Sequence, residues 1–122
     1  MVSSSQEKPL LWVSASKKEL LALPPDVIDD FGYALGAVQM GATPPQAKLW
    51  KGAGSAVWEL VERHHGDTFR AVYTVRFAKA VYVLHCFQKK SPDGIRTAQS
   101  DINLIHERLK LEELDYKDHY DF

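Results

Sequence analysis

The sequence predicts one α+β domain, with two N-terminal helices and a C-terminal helix packed on a small, mainly antiparallel sheet. Three observations support this prediction. Apolar residues recur at helical spacing over residues 25–40, they alternate at strand spacing over residues 57–88, and helical spacing returns after residue 97. A chain of 122 residues buries enough surface for one core but not for two. The predicted element order is β-α-α-β-β-β-α.

The first strand and first helix are predicted from a short apolar run and a serine cluster. Residues 10–13 (LLWV) suit a strand that begins after Pro9. Ser14 or Ser16 can act as the N-cap of a helix, and Glu19 lies three residues after Ser16. A serine and a glutamate at this spacing are typical of a capping box, so we expect both side chains to bind helix-end N–H groups.

The second helix is predicted to begin at Pro25, because proline suits the first turn of a helix. We expect it to end at Gly41 and to bury a face made of Val27, Ile28, Phe31, Leu35 and Val38. The following segment, residues 42–56, is rich in proline and glycine. That composition predicts a connector without secondary structure of its own.

The alternating pattern in the second half of the chain predicts a three-stranded antiparallel meander. Residues 64–67 and 91–94 have the composition of turns. Residues 78–79 (Ala-Lys) are an unusually plain pair for a turn, but their place between two strands predicts a two-residue hairpin turn. The predicted strands are residues 57–63, 68–77 and 80–88.

The final helix is predicted to be capped by Thr97 and to bury a stripe of Ile102, Ile105, Leu109 and Leu111. Residues 115–122 lack a clear period, and we expect them to fray. The predicted organisation is therefore a domain over residues 1–111 and an acidic tail over residues 112–122. The tail could be solvated, shield a basic surface or join an interface.

Charge is distributed unevenly along the chain. Fifteen Lys and Arg face sixteen Asp and Glu, for a net charge of −1 that argues against a nucleic-acid partner. Residues 48–96, however, hold nine basic and four acidic residues, a balance of +5, whereas residues 112–122 carry −4. This asymmetry motivates a search for an anionic partner, but it does not identify one.

Several classes are excluded by composition. A single cysteine, Cys86, excludes an intramolecular disulfide and a multi-cysteine zinc site, and its place in the strand pattern predicts a buried thiol. The histidines lack partners at ligand spacing, so we predict no metal and no cofactor. No apolar run reaches the length of a signal peptide or a membrane span, and we expect a cytoplasmic protein.

Strand parity then sorts the side chains of the meander by face. If residues 78–79 form a two-residue turn, Arg70 lies beside Phe87 and Val72 beside His85. One face then holds Tyr73, Val75, Phe77, Tyr82, Leu84 and Cys86, which suits packing on helices. The other face collects Arg63, Arg70, Arg76, His85, Phe87 and Lys89.

This basic face has two interpretations. Guanidinium groups bind phosphate, an aromatic ring stacks on a base, and a histidine can transfer a proton near neutral pH. Together these groups predict an RNA-binding, acid–base site. The alternative is a plain solvated face, because one side of an antiparallel sheet is often wet and Arg and Lys are common there.

Three motifs, in this order along the chain, resemble one family. Trp58-Glu59-Leu60 is similar to a "WEL" strand, residues 69–73 (FRAVY) to a "yRvxY" strand, and residues 83–91 (VLHCFQKKS) to an "LHxFxKKs" strand. These are strands of RelE/ParE-superfamily toxins, specifically the phage-derived, HigB-like branch. The similarity covers roughly residues 9–111 and implies a RelE-like fold.

The resemblance implies a toxin of a type II toxin–antitoxin system. Many members are metal-independent ribonucleases that cleave mRNA on the ribosome, where the substrate's 2′-OH attacks the adjacent phosphodiester. The implied partners are a cognate antitoxin, usually a helix-turn-helix protein, and mRNA on the ribosome, with no membrane. The implied catalytic residues are Arg70, Arg76, His85 and Lys89, and the implied RNA-binding residues are Arg63, Phe87, Lys90, Lys79 and Lys51.

The chain departs from the family pattern at two places. Val61 stands where an arginine often follows "WEL", although Arg63 has the same parity two residues later. Residues 97–101 replace the usual Pro-x-x-Glu of the last helix. Two alternatives stay open: a non-catalytic toxin that inhibits a protein such as gyrase, and a prophage relic that binds only its antitoxin. His85 among basic residues favours the ribonuclease.

Overall fold

The structure, a computed structural model, describes residues 7–51, 56–89 and 97–120. It is an α+β fold, and the predicted element order is confirmed with one strand added. The elements are β1 (Leu10–Trp12), α1 (Ser16–Leu21), α2 (Pro25–Gln39), β2 (Ala47–Leu49), β3 (Val57–His64), β4 (Asp67–Thr74), β5 (Val81–Lys89) and α3 (Gln99–Tyr120).

Five strands form one sheet in the order β1-β5-β4-β3-β2. Strand β1 is parallel to β5, and the other pairs are antiparallel. Strand β2 lies in the segment predicted to be a connector, so that prediction was wrong for residues 47–49. Its three residues pair with the edge of β3, and this pairing outweighs the turn-forming composition around them.

The helices cover both faces of the sheet. Helices α1 and α2 pack on one face around a core of Leu20, Val27, Phe31, Leu35, Leu60, Phe69, Ala71, Tyr73 and Val83. Helix α3 packs on the other face around Trp50, Val57, Val72, Tyr82, Leu84, Phe87, Ile105 and Leu109. Neighbours such as Ala71 and Val72 alternate between the two cores, as pleated strands require.

The predicted register of the β4–β5 hairpin is confirmed for its open end, from Thr68 opposite Lys89 to Val72 opposite His85. Beyond that point the register shifts by one, and Tyr73 pairs with Val83. Leu84 is therefore an extra residue in β5, a β-bulge.

The bulge corrects the predicted apolar face. Tyr82 and Leu84 lie in the α3 core, whereas Tyr73 and Cys86 lie in the core under α1 and α2. The two-residue turn was also wrong, because β4 ends at Thr74 and β5 begins at Val81. A longer loop absorbs the one-residue shift that the bulge introduces.

The predicted capping box at α1 is wrong. The N-cap position is Ala15, and no side chain caps the helix. Ser16 is instead buried and donates its hydroxyl to the Val83 carbonyl oxygen at 2.9 Å. Ser14, two residues before Ser16, has a φ of 55°, so the chain turns sharply from β1 into α1. Tertiary hydrogen bonds to β5 thus replace local capping here.

Helix α2 begins at Pro25 as predicted and is followed by Gly41, whose φ of 93° suits glycine at a helix end. Four residues of its predicted apolar face are buried and Ile28 is half-buried. In α3, Ile105 and Leu109 are buried as predicted. Leu111 is exposed, because it lies two residues after Leu109 and its side chain is on the opposite side of the helix.

Helix α3 extends further than predicted. The expected fraying from residue 115 is wrong as far as Tyr120, where the helix ends. Tyr82 donates its hydroxyl to Asp115 at 2.7 Å, and the rings of Phe77 and Tyr116 stack with centroids 4.1 Å apart. These contacts with the sheet and its loop hold the last turns in place. The predicted turn at residues 91–94 lies outside the described residues.

Candidate functional site

The predicted basic face brings three of its charged residues together on the α3 side of the sheet. Arg70 lies directly opposite Phe87, and His85 and Lys89 flank Phe87 two residues away on β5. Residues two apart on a strand point to the same side, so Arg70, His85 and Lys89 surround Phe87. We call these four residues the β4–β5 cluster.

The β4–β5 cluster is buried. The exposed fractions are 7% for Arg70, 5% for His85, and 8% for both Phe87 and Lys89. This corrects the expectation of an open or solvated face. Helix α3 covers part of the cluster, because Phe87 shares a core with Ile105 and Leu109.

Arg70 is neutralised by a residue that the sequence reasoning overlooked. Its Nη1 donates to Oε1 of Glu59 at 2.5 Å, and both side chains are buried. Arg70 Nε has no hydrogen-bond partner among the described residues. The signal for this pair was available: Glu59 lies on the same face as Val61, which pairs directly with Arg70, so the two charges are diagonal neighbours.

His85 lies between two carboxylates. Its Nδ1 is 2.9 Å from Oε1 of Glu19, and its Nε2 is 2.8 Å from Oδ1 of Asp101. The ring stacks on Phe87, with centroids 4.6 Å apart and planes 17° from parallel. An ionised carboxylate only accepts hydrogen bonds, so a ring nitrogen that carries a proton donates it to the carboxylate that it faces.

Glu19 holds this arrangement through three donors. Besides His85, it accepts hydrogen bonds from Nη1 of Arg108 at 2.8 Å and from the N–H of Cys86 at 3.2 Å. Burial raises the pKa of Glu19, but these hydrogen bonds outweigh it and lower the pKa to about 2. Arg108 also donates to the carbonyl oxygen of Leu84 at 2.9 Å.

Sequence reasoning missed Glu19, Asp101 and Arg108 as partners of His85. Glu19 on α1 lies 66 residues from His85 along the chain. Asp101 and Arg108 on α3 lie 16 and 23 residues from it. Strand parity relates only the strands to one another. No pattern within the meander could therefore have indicated these contacts.

Arg76 lies apart from the β4–β5 cluster. Strand β4 ends at Thr74, so the parity that grouped Arg76 with Arg70 does not extend to it. Arg76 instead donates to Oε1 of Glu112 at 3.2 Å and to the carbonyl oxygen of Leu109 at 3.1 Å. Glu112 is eleven residues beyond Asp101, about 16 Å further along the axis of α3.

The remaining predicted RNA-binding residues are dispersed. Arg63 is exposed near the end of β3, and Lys51 and Lys79 are exposed in loops. Lys90 lies outside the described residues.

Within residues 7–51, 56–89 and 97–120, no three His, Cys, Asp or Glu side chains are arranged to hold a metal ion. None of the helices in these ranges combines the length and the apolar character needed to cross a membrane.

A family model for phage-derived, Gp49-like proteins matches residues 18–110, about three quarters of the chain. The chain belongs to the Gp49-like family. This family is associated with toxin–antitoxin systems and with RelE-like toxins, so the resemblance seen in the sequence is confirmed at that level. A search of curated proteins found no match to the chain. In this Gp49-like protein, the matched region includes the whole β4–β5 cluster together with Glu19, Asp101 and Arg108.

Proposed function

We propose that this Gp49-like protein is the toxin of a type II toxin–antitoxin system, of the HigB-like branch, and that it is a metal-independent, ribosome-dependent mRNA endoribonuclease. One observation carries the proposal: Arg70, His85 and Lys89 surround one aromatic ring on one face of the sheet. Two cations that stabilise charge on a phosphate, a proton donor and an aromatic ring are groups that support cleavage by an internal 2′-OH.

We assign the cluster residues their roles from their geometry and the residues outside the cluster from the resemblance to RelE/ParE-superfamily toxins. The substrate's 2′-OH gives its proton to a solvent water as it attacks the adjacent phosphorus, and the bond from phosphorus to the 5′-oxygen breaks to leave a 2′,3′-cyclic phosphate. His85 has a carboxylate acceptor on each ring nitrogen, an arrangement that suits a proton donor, so we assign it the acid that protonates the leaving 5′-oxygen. Arg70 and Lys89 stabilise the charge that builds on the phosphate, and Arg63, Lys51, Lys79, Lys90 and Arg76 hold the flanking backbone.

Burial favours a second candidate function. Arg70 and His85 are less than a tenth exposed and already have carboxylate partners, as structural residues do. A non-catalytic toxin that inhibits a protein target such as gyrase would need no access to them. The ribonuclease requires that α3 move away from part of the cluster when the protein meets its substrate.

Induction of the chain alone, followed by mapping of mRNA 5′ ends, separates these functions. The ribonuclease predicts growth arrest and new 5′ ends on a reporter message but not on the same message without its start codon. Lys89→Met should abolish the new ends, whereas Lys110→Met, an exposed lysine on α3, should not.

Other results would identify the other functions. Growth arrest with intact messages and gyrase-linked DNA breaks would support the protein-inhibiting toxin. Normal growth together with tight antitoxin binding would indicate a relic. Cleavage unchanged by Lys89→Met would show that the β4–β5 cluster is not the site.

A further inference from the structure

The two carboxylates that face His85 are held very differently. Glu19 accepts hydrogen bonds from three donors, namely His85, Arg108 and the backbone N–H of Cys86. The carboxylate of Asp101, in contrast, has His85 as its one partner among the described residues. Among the described residues, moving Asp101 therefore breaks one charge-assisted hydrogen bond, whereas moving Glu19 breaks three.

The supporting elements differ in the same way. Glu19 lies on α1, which Ser16 fastens to β5 through the Val83 carbonyl. Asp101 lies in the first turn of α3, two residues after the helix begins at Gln99. Helix ends open more readily than helix centres because their backbone groups lack partners within the helix.

We infer that Asp101 is a gate on Nε2 of His85 and that Glu19 is the fixed support that orients the ring behind it. The inference rests on the proposed ribonuclease function and adds two positioning residues to it. When Asp101 swings away, the Nε2–H group becomes accessible while Nδ1–H remains bonded to Glu19. The proton on Nε2 is then the one transferred to the leaving 5′-oxygen.

The position of Asp101 also depends on whether Nε2 of His85 has transferred its proton during cleavage. After Nε2 has given up its proton, it presents a lone pair, which repels the Asp101 carboxylate instead of donating to it. The gate closes again only after the ring is reprotonated. The charged groups facing the ring in the described part of the chain are Glu19 from α1 and Asp101 and Arg108 from α3, and Phe87 stacks on its face.

Nitrogen-15 NMR of the full chain tests the arrangement independently of activity. The parent should show two slowly exchanging ring N–H signals from His85. Asp101→Ala should lose the Nε2–H signal alone and keep Nδ1–H, whereas Glu19→Gln should weaken Nδ1–H. A parent with one ring N–H signal, or an Asp101→Ala variant that loses both or keeps both, would overturn the inference.

Cleavage kinetics test the roles. Asp101→Ala should cleave about tenfold faster than the parent, because the competent open state is no longer a minor population. Glu19→Gln should lower kcat about 10- to 100-fold with a smaller change in KM, and Glu19→Asp, which keeps the charge, should recover most of the loss. Asp118→Ala and Glu107→Gln are matched controls on the exposed side of α3.

The outcomes distinguish a failure of this inference from a failure of the proposed ribonuclease function. If the parent cleaves RNA but Asp101→Ala is slower, or Glu19→Gln is unchanged, the gate or the support is wrong while the ribonuclease stands. If the parent does not cleave RNA, the proposed function fails, and the NMR signals alone decide whether Asp101 and Glu19 hold the ring as inferred.

Discussion

The buried pair of Glu59 and Arg70 stabilises the fold only while both members are present. Each charge is desolvated, and removing one leaves the other uncompensated in the interior. We expect Glu59→Ala to lower the free energy of unfolding by about 3–5 kcal/mol in urea denaturation. Replacing both residues by methionine should be nearly neutral. A loss of the same size in the double variant would show that the pair itself is the source of stability.

Glu62 on β3 lies close to Asp30 on α2, and the two carboxyl groups interact. A hydrogen bond to Asp30, with burial and the Asp30 charge, raises the pKa of Glu62 to about 7. Because the folded state holds the proton of Glu62 more tightly, the stabilisation is complete below the unfolded pKa near 4.5 and is lost as the pH rises through about 7.

The Glu62→Gln variant should therefore lose less stability than the parent between pH 5 and pH 8. The difference should be under about 1 kcal/mol, because Glu62 is largely solvated and water screens the interaction. Thermal denaturation at both pH values measures it, with Asp26→Asn, an exposed position on α2, as the control. Equal pH dependence in parent and variant would contradict the raised pKa of Glu62.

The sequence predicted which residues form the β4–β5 cluster better than it predicted which residues bury them and bind them. Alternation within β4 and β5 correctly grouped Arg70, His85, Phe87 and Lys89, because that register is set by the hairpin itself. Their burial and their carboxylate partners depend on how α1 and α3 dock. Docking of helices is decided by the whole core and leaves no period in the strands.

At the scale of elements, the sequence predicted helix ends correctly where a residue type allows few backbone conformations. Pro25 and Gly41 bracket α2 as predicted, because proline fixes φ and glycine permits positive φ. The signals failed where tertiary contacts compete with local ones. Ser16 binds β5 instead of capping α1, and residues 47–49 pair with β3 despite two prolines just before them.

The end of α3 is held by a buried carboxylate. Glu112 is completely buried and accepts hydrogen bonds from the hydroxyl of Thr74 and from Nε of Arg76. Burial raises the pKa of Glu112, while the hydrogen bonds from Thr74 and the charge of Arg76 oppose the shift.

Glu112→Ala should lower the free energy of unfolding by about 3 kcal/mol, since it leaves a buried hydroxyl and a guanidinium without their acceptor. Glu112→Gln, which keeps an acceptor, should lose less. Glu113→Ala, one residue further along α3 and exposed, is the matched control in urea denaturation. Equal stability of the two alanine variants would show that this part of α3 does not support the fold.

At the scale of the whole molecule, one sheet separates two cores that must form together. Leu35 belongs to the core under α1 and α2, and Ile105 belongs to the core under α3; both are fully buried. The strands contribute alternate residues to each core. We therefore expect the described parts of the chain to unfold in one transition and not as two layers.

Leu35→Ala and Ile105→Ala should each lower the free energy of unfolding by about 2–5 kcal/mol, because each leaves a cavity in a packed core. Their effects should add in the double variant, since the two residues lie on opposite sides of the sheet and share no partner. Circular dichroism and tryptophan fluorescence should report the same denaturation midpoint. Separate midpoints would show that the two cores unfold independently.

Labelling of Cys86 can report how often the structure around this residue opens. The thiol lies under α1, and its pKa is raised to about 12 by burial and by the charge of Glu19, which Arg108 partly offsets. A thiol in that state barely reacts with alkylating reagents. The rate at which the native chain is labelled therefore measures how often α1 lifts from the sheet. With one cysteine in 122 residues, the label attaches at a single site.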